Sequence, residues 1–170
     1  MDEQEQRRLL TEGRRVEESA TWSAQNQFEQ AKIWRGLNYL IGVPATALAA
    51  IAGAFTLATT VGRFWAGLAA LAAASLSAIM TLLNLGRRSD DALTGANAYL
   101  ALQQDARIFC EIDLFTFDYE QARQALSELV ARLQEVHKSA PLPSKRAYRR
   151  AKKNIERGGQ RYDVDDNPPS

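Results

Sequence analysis

The distribution of charged residues divides the chain into an apolar middle and two polar flanks. One uncharged run covers residues 36–62 and a second covers residues 64–86, with Arg63 between them. At about 1.5 Å rise per helical residue these runs would be roughly 40 and 34 Å long, against a hydrocarbon core of about 30 Å. The pattern therefore predicts an all-α protein with a two-span transmembrane helical hairpin over residues 36–86.

The residues at the ends of the hairpin indicate its limits and its orientation. We expect the spans at about 39–59 and 64–85. Aromatic residues near both ends are typical of the belts at membrane–water interfaces; they are Trp34, Tyr39, Phe64 and Trp65. Four basic residues lie near the open end, whereas the turn carries only Arg63; they are Lys32, Arg35, Arg87 and Arg88. The positive-inside rule therefore predicts that both termini are cytoplasmic.

Residues 1–35 are predicted to form an N-terminal cytoplasmic helix. This segment has no proline, is rich in Glu, Gln, Arg and Ala, and carries few apolar residues. Such a composition favours a helix. The thin spread of apolar positions is typical of a solvated or partner-bound helix rather than a core helix.

Residues 89–159 are predicted to form a C-terminal cytoplasmic helical region. Ser89 and the two aspartates after it can cap a first helix, which would run to about Phe115. Asp118 with Gln121 resembles a capping box for a second helix. Two prolines, at 141 and 143, should end that helix.

A third, basic helix would follow in this region. Ser144 can cap its start, and the glycine pair at 158–159 should end it. Residues 160–170 are predicted to be a flexible acidic tail.

Charge is balanced over the whole chain but not along it. The chain has 21 basic and 20 acidic residues, a net charge of +1, so we expect no nucleic-acid partner. Residues 145–157 nevertheless carry seven Lys or Arg against Glu156 alone. This segment could lie near anionic lipid, pair with acidic segments elsewhere, or bind RNA, although only Tyr148 could stack on a base.

Residues with catalytic chemistry are few. The single histidine, His137, has no acidic or Cys partner at ligand spacing and is expected at the surface or at a helix end. The lone Cys110 is expected to be a small buried residue. No phosphate-binding glycine loop or metal-binding motif occurs. The sequence therefore predicts neither an enzyme nor a cofactor or metal site.

Each span carries one stripe of small or weakly polar residues. Such stripes let helices approach closely in lipid. They could simply pack the hairpin against itself, or at least one could face other copies of the chain and line a pore. Because two helices cannot enclose a pore alone, the second interpretation requires a homo-oligomer. The candidate pore-lining or helix-packing residues are Thr46, Gly53, Thr56, Ser77, Thr81 and Asn84.

Two further features bear on how the hairpin could work. Pro44 with Gly42 is either a hinge or a proline tolerated at the start of a helix. Neither span contains a charged residue. Pumps and coupled carriers usually carry intramembrane charges, so a passive pore or an inert anchor is favoured.

Several segments, in order, resemble the SLATT domain family. The resemblance covers about residues 25–166 and is carried by residues 40–44, 51–53, 76–84, 95–102, 105–107, 140–143, 151–155, 158–159 and 162–165. It implies a two-transmembrane, pore-forming effector of prokaryotic conflict systems. It also implies a role in antiviral defence by abortive infection, through permeabilisation of the inner membrane.

The resemblance implies partners as well. SLATT domains are associated with SMODS nucleotidyltransferases, which make second messengers, and with SLOG sensors. A second messenger or a separate sensor protein is therefore the expected trigger. A non-conducting membrane scaffold that docks a partner protein is the alternative.

Overall fold

The computed structural model describes the backbone of residues 1–58 and 62–160 and the side chains of residues 1–55 and 64–160. Within these residues the chain is helical and contains no strand. The predicted acidic tail lies almost wholly outside the described residues. The elements are α1 (Glu3–Ala58), α2 (Gly62–Leu83), α3 (Leu85–Ile108), a π-helical segment (Phe109–Asp113), α4 (Leu114–Thr116), α5 (Tyr119–Ser139) and α6 (Lys145–Glu156).

Helix α1 is one uninterrupted helix of 56 residues. It joins the predicted N-terminal helix and the predicted first span, and Pro44 lies inside it. Interpreting Pro44 as a helix-start residue was therefore wrong, because α1 begins at Glu3. The proline removes one backbone donor from the helix, which leaves the carbonyl of Leu40 without its usual partner.

Asn84 separates α2 from α3. Its φ is 46°, in the left-handed region that asparagine tolerates better than most residues. Its backbone N–H donates to the carbonyl of Met80, and its own carbonyl accepts from Arg88. The predicted cap at Ser89 was wrong because α3 already begins at Leu85.

The predicted caps of α5 and α6 are confirmed. The side chain of Asp118 accepts from the N–H of Gln121 at 2.9 Å, and the Gln121 side chain accepts from the N–H of Asp118 at 3.1 Å. Ser144 accepts from the N–H of Ala147 at 3.2 Å. Helix α5 ends at Ser139, before the prolines, and Gly158 has a φ of 80° just after α6.

The described chain forms two compact units. The bundle unit contains Met1–Gln30 and the described residues from Asp91 onwards, and the hairpin unit contains Ala31–Asp90. The core of the bundle unit is formed by Leu9, Val16, Ala20, Leu102, Ala106, Phe109, Cys110, Leu114, Ala122 and Leu129. The first part of α1 is thus a core helix, and the prediction of a solvated or partner-bound helix rather than a core helix was wrong. Cys110 is buried, as predicted.

Candidate functional site

Among the described residues, two helices are long and apolar enough to cross a membrane. Only 11% of the most apolar stretch of each helix is buried. The core helix of a soluble protein would be mostly buried. The exposure of these stretches therefore marks the hairpin unit as the candidate functional site.

Large apolar side chains cover the outer surface of the hairpin unit. These exposed side chains include Leu40, Val43, Ile51 and Phe55 on α1 and Leu68, Leu71, Ile79 and Leu82 on α2. Leu48 of α1 is half-buried. An exposed apolar surface of this extent is rare on soluble monomers and marks a surface that meets lipid or protein.

Small residues form the buried positions of the two spans. Ala45 and Ala52 on α1, and Ala66 and Ala73 on α2, are at most 6% exposed. Each pair is seven residues apart, which places both members on one face of their helix. A Cβ added at Gly42 would lie 3.1 Å from Cε of Met80, so the end of the Met80 side chain packs against the backbone of α1 there. Sequence reasoning missed Ala45 and Ala52, although their seven-residue spacing was a usable signal.

An open groove of about 580 Å³ lies between α1 and α2. Its described lining consists of small residues, namely Ala49, Ala52, Gly53, Ala66, Gly67, Ala70, Ala73, Ala74 and Ser77. None of these described lining residues is charged or bulky. Such a surface allows another helix to approach closely, because in lipid helix association depends on backbone proximity and van der Waals contact.

The structure brings some of the candidate residues together and separates others. Gly53 and Ser77 line the groove. Thr46 lines a second depression, of about 500 Å³, together with Gly42 and Met80. Thr81 is exposed. Asn84, also exposed, lies at the α2–α3 junction described above. The side chain of Thr56 lies outside the described residues.

Two of the candidate hydroxyl groups bond within their own helices. Thr46 Oγ1 donates to the carbonyl of Gly42 at 2.9 Å, and Thr81 Oγ1 donates to the carbonyl of Ser77 at 3.0 Å. These bonds satisfy the hydroxyl protons in an apolar surrounding. The oxygen lone pairs stay available to a further donor.

Polar contacts tie together the open end of the hairpin unit. The Arg88 guanidinium carbon lies 5.4 Å from the centroid of the Trp34 ring, a cation–π geometry. Ser89 Oγ donates to the buried carbonyl of Ala31 at 3.2 Å. These contacts join the start of α3 to α1.

The bundle unit holds the other residues with candidate chemistry. The ring of His137 lies on the surface, 5.4 Å from the ring of Tyr99. Burial raises the pKa of the Cys110 thiol to about 11, which disfavours its nucleophilic thiolate form. In the part of the chain that the structure describes, no cluster of His, Cys, Asp and Glu could hold a metal ion.

Comparison of the chain with protein-family models, with curated proteins and with solved structures gives no match.

Proposed function

We propose that this chain is a membrane-embedded effector of a prokaryotic anti-phage or conflict system. In this proposal it oligomerises into a pore that permeabilises the inner membrane when a nucleotide signal or a partner sensor triggers it. The observation that carries the proposal is the exposed apolar surface on both helices of the hairpin unit.

Insertion into a bilayer follows from the energy of that surface. Eight large apolar side chains are exposed on the two spans, as named above. Full transfer of one such side chain from water to an apolar surrounding is favourable by about 1.5–3 kcal/mol. Together the eight side chains therefore favour insertion by a free energy on the order of 10 kcal/mol. The basic residues near the open end support cytoplasmic termini.

A pore requires several copies, and the small-residue groove supports their assembly. A helix from a neighbouring copy could approach the groove at Gly53 and Ser77 closely. In a ring of hairpins the hydroxyl oxygens of Thr46, Ser77 and Thr81 would offer weakly polar positions along a passage. The absence of charged residues from both spans supports passive conduction rather than coupled transport.

A second exposed apolar patch, on the bundle unit, supports assembly outside the membrane. Ile108, Ile112 and Phe115 follow one another at spacings of four and three and are 46%, 58% and 64% exposed. Apolar patches of this kind on a polar domain mark protein interfaces. Contacts between bundle units could therefore hold the copies together.

The resemblance to the SLATT family supports the conflict-system role and the trigger. A trigger would act by binding the open oligomer more tightly than the closed one. The ligand or sensor that supplies this difference would be recognised by the cytoplasmic helices.

Release of a trapped dye from liposomes that contain the purified full-length chain tests the pore. Ser77→Leu should reduce release because it fills the groove. Ser75→Leu is the matched control, since Ser75 is exposed and its hydroxyl bonds to the carbonyl of Leu71. The proposed pore would be refuted if the oligomeric chain released no dye when each candidate nucleotide signal or partner sensor was added.

The second candidate function is a non-conducting two-span anchor or scaffold whose cytoplasmic helices dock a partner protein. The intrahelical bonds of Thr46 and Thr81 favour it, because hydroxyls satisfied in this way need no water-filled passage. A scaffold should tolerate both serine substitutions equally and should not release dye.

A further inference from the structure

Helix α6 presents a strongly basic surface. The buried residues of α6 are small: Ala147 and Ala151 are both 0% exposed. The ring of Tyr148 stacks on that of Trp22, with centroids 6.3 Å apart. Seven basic side chains of this segment are exposed; they are Lys145, Arg146, Arg149, Arg150, Lys152, Lys153 and Arg157.

Acidic groups of the described chain leave most of these charges uncompensated. In the described chain, the ion pair of α6 joins Lys152 to Glu156 within the helix itself, with N and O 3.6 Å apart. Both side chains are more than half exposed, so the pair neutralises one of the seven positive charges at most. Pairing with the other described helices therefore does not account for the basic surface.

Three glutamines of α1 fix the position of α6 within the bundle unit. The N–H of Ser144 donates to Oε1 of Gln30 at 2.8 Å, at the start of α6. Nε2 of Gln27 donates to the carbonyl of Pro141. Nε2 of Gln160 donates to Oε1 of Gln25 at 3.0 Å, just after α6 ends. Both ends of α6 are thus held by the last turns of α1 in this unit.

Chain length keeps these attachment points close to the apolar run. Gln30 precedes the first residue of the uncharged run, Gly36, by six positions. Even a fully extended segment of this length reaches only about 20 Å. The start of α6 is therefore tethered within a short distance of the point at which the chain becomes apolar.

We propose that the exposed basic surface of α6 binds the anionic phospholipid headgroups of the bilayer that the hairpin crosses. This inference rests on the proposed membrane insertion. Each positive charge held at an anionic surface favours the bound state by about fivefold. Nucleic acid is a weaker fit, because single-stranded binding uses aromatic stacking and the one aromatic of α6, Tyr148, already stacks on Trp22.

A fluorescent reporter on α6 tests the proposal in the full-length chain. Lys152→Cys provides an exposed attachment site for an environment-sensitive dye, while buried Cys110 reacts poorly. The labelled chain is placed in nanodiscs of phosphatidylcholine alone or of phosphatidylcholine with phosphatidylglycerol. We expect the dye to report a less polar surrounding only with phosphatidylglycerol, and salt to reverse the change because it shortens the Debye length.

Charge-matched variants separate the helix from the total charge of the chain. Replacing Arg146, Arg149, Arg150 and Lys153 with Gln should lower the ratio of bound to free α6 by several hundredfold. The control replaces Arg7, Arg8, Arg15 and Arg123, four exposed basic residues outside α6, and should leave the dye response intact.

Each outcome has a distinct meaning. If the chain inserts into both kinds of disc and the dye signals are identical, binding of α6 to anionic lipid is refuted, whereas membrane insertion stands. A signal that changes with added RNA but not with phosphatidylglycerol, or a control variant that behaves like the α6 variant, would refute lipid binding as well. Failure of the chain to enter discs would refute membrane insertion, and lipid binding with it.

Discussion

Replacing Gly13 with alanine should destabilise the bundle unit, even though alanine is the better helix former. An added Cβ would lie 2.6 Å from Cys110 Sγ and 3.1 Å from two ring carbons of Phe109. Both neighbours are buried, which leaves them little room to move. Helix propensity favours alanine by about 1 kcal/mol. Overpacking of a core costs about 1–3 kcal/mol, so we expect a net loss of up to about 2 kcal/mol.

Thermal unfolding of the full-length chain in detergent, followed by circular dichroism, measures this loss. For a chain of this size each kcal/mol lowers the Tm by about 2–4 °C. Gly36→Ala is the control in the same helix, because a Cβ there meets nothing within 4 Å. It should be neutral or stabilising.

A second substitution tests the cause of the loss. Cys110→Ala removes the sulfur atom and with it the 2.6 Å contact to a Cβ at Gly13, while the 3.1 Å contacts to Phe109 remain. In that background Gly13→Ala should cost about 1 kcal/mol less, a coupling typical of residues in contact. Equal Tm changes for Gly13→Ala in both backgrounds would refute the packing argument.

Two further predictions concern the α2–α3 junction and the buried thiol. Asn84→Gly should preserve stability in detergent, whereas Asn84→Val should lower it by about 1–2 kcal/mol, because a β-branched residue is strained at a φ of 46°. Equal Tm values for the two variants would contradict this. The Cys110 pKa of about 11, against an ordinary 9.0, predicts alkylation at pH 8 about a hundredfold slower in the folded than in the unfolded chain. Between pH 9 and 11 the folded chain keeps the thiol proton that the unfolded chain releases, so the free energy of unfolding falls as pH rises through this range. Cys110→Ala should remove that part of the pH dependence.

The two spans and the caps could be predicted because their signals are local. The uncharged runs on either side of Arg63 need only composition to be recognised. The bonds at Asp118 and Ser144 form between residues three positions apart, so a short sequence window contains both partners. These elements depend little on the rest of the fold.

The role of the first part of α1 could not be predicted because its partners are distant in sequence. Val16 and Ala20 are buried with Leu102, Ala106 and Leu114, more than eighty positions away. The sparse apolar pattern favoured a solvated or partner-bound helix, but alanines and buried glutamines complete the contact face of α1. Nε2 of the buried Gln27 and Oε1 of the buried Gln30 bond to the linker after α5, 114 positions away, and the sequence alone does not pair these residues.

The candidate site was predicted in part. Gly53 and Ser77 do line one groove, but the buried positions of α1 in the hairpin are Ala45 and Ala52, which the small-residue stripe did not include. In a span rich in alanine and glycine, several faces are nearly equally small. Composition alone therefore does not select the face that packs.

Extraction of membranes from expressing cells tests whether the hairpin unit is inserted in a bilayer. We expect the full-length chain to stay in the membrane pellet after washing at high salt and at alkaline pH, and only detergent to release it. The exposed apolar faces of α1 and α2 are the reason. Recovery of the chain as a single soluble species in detergent-free buffer would contradict membrane insertion and the proposed pore.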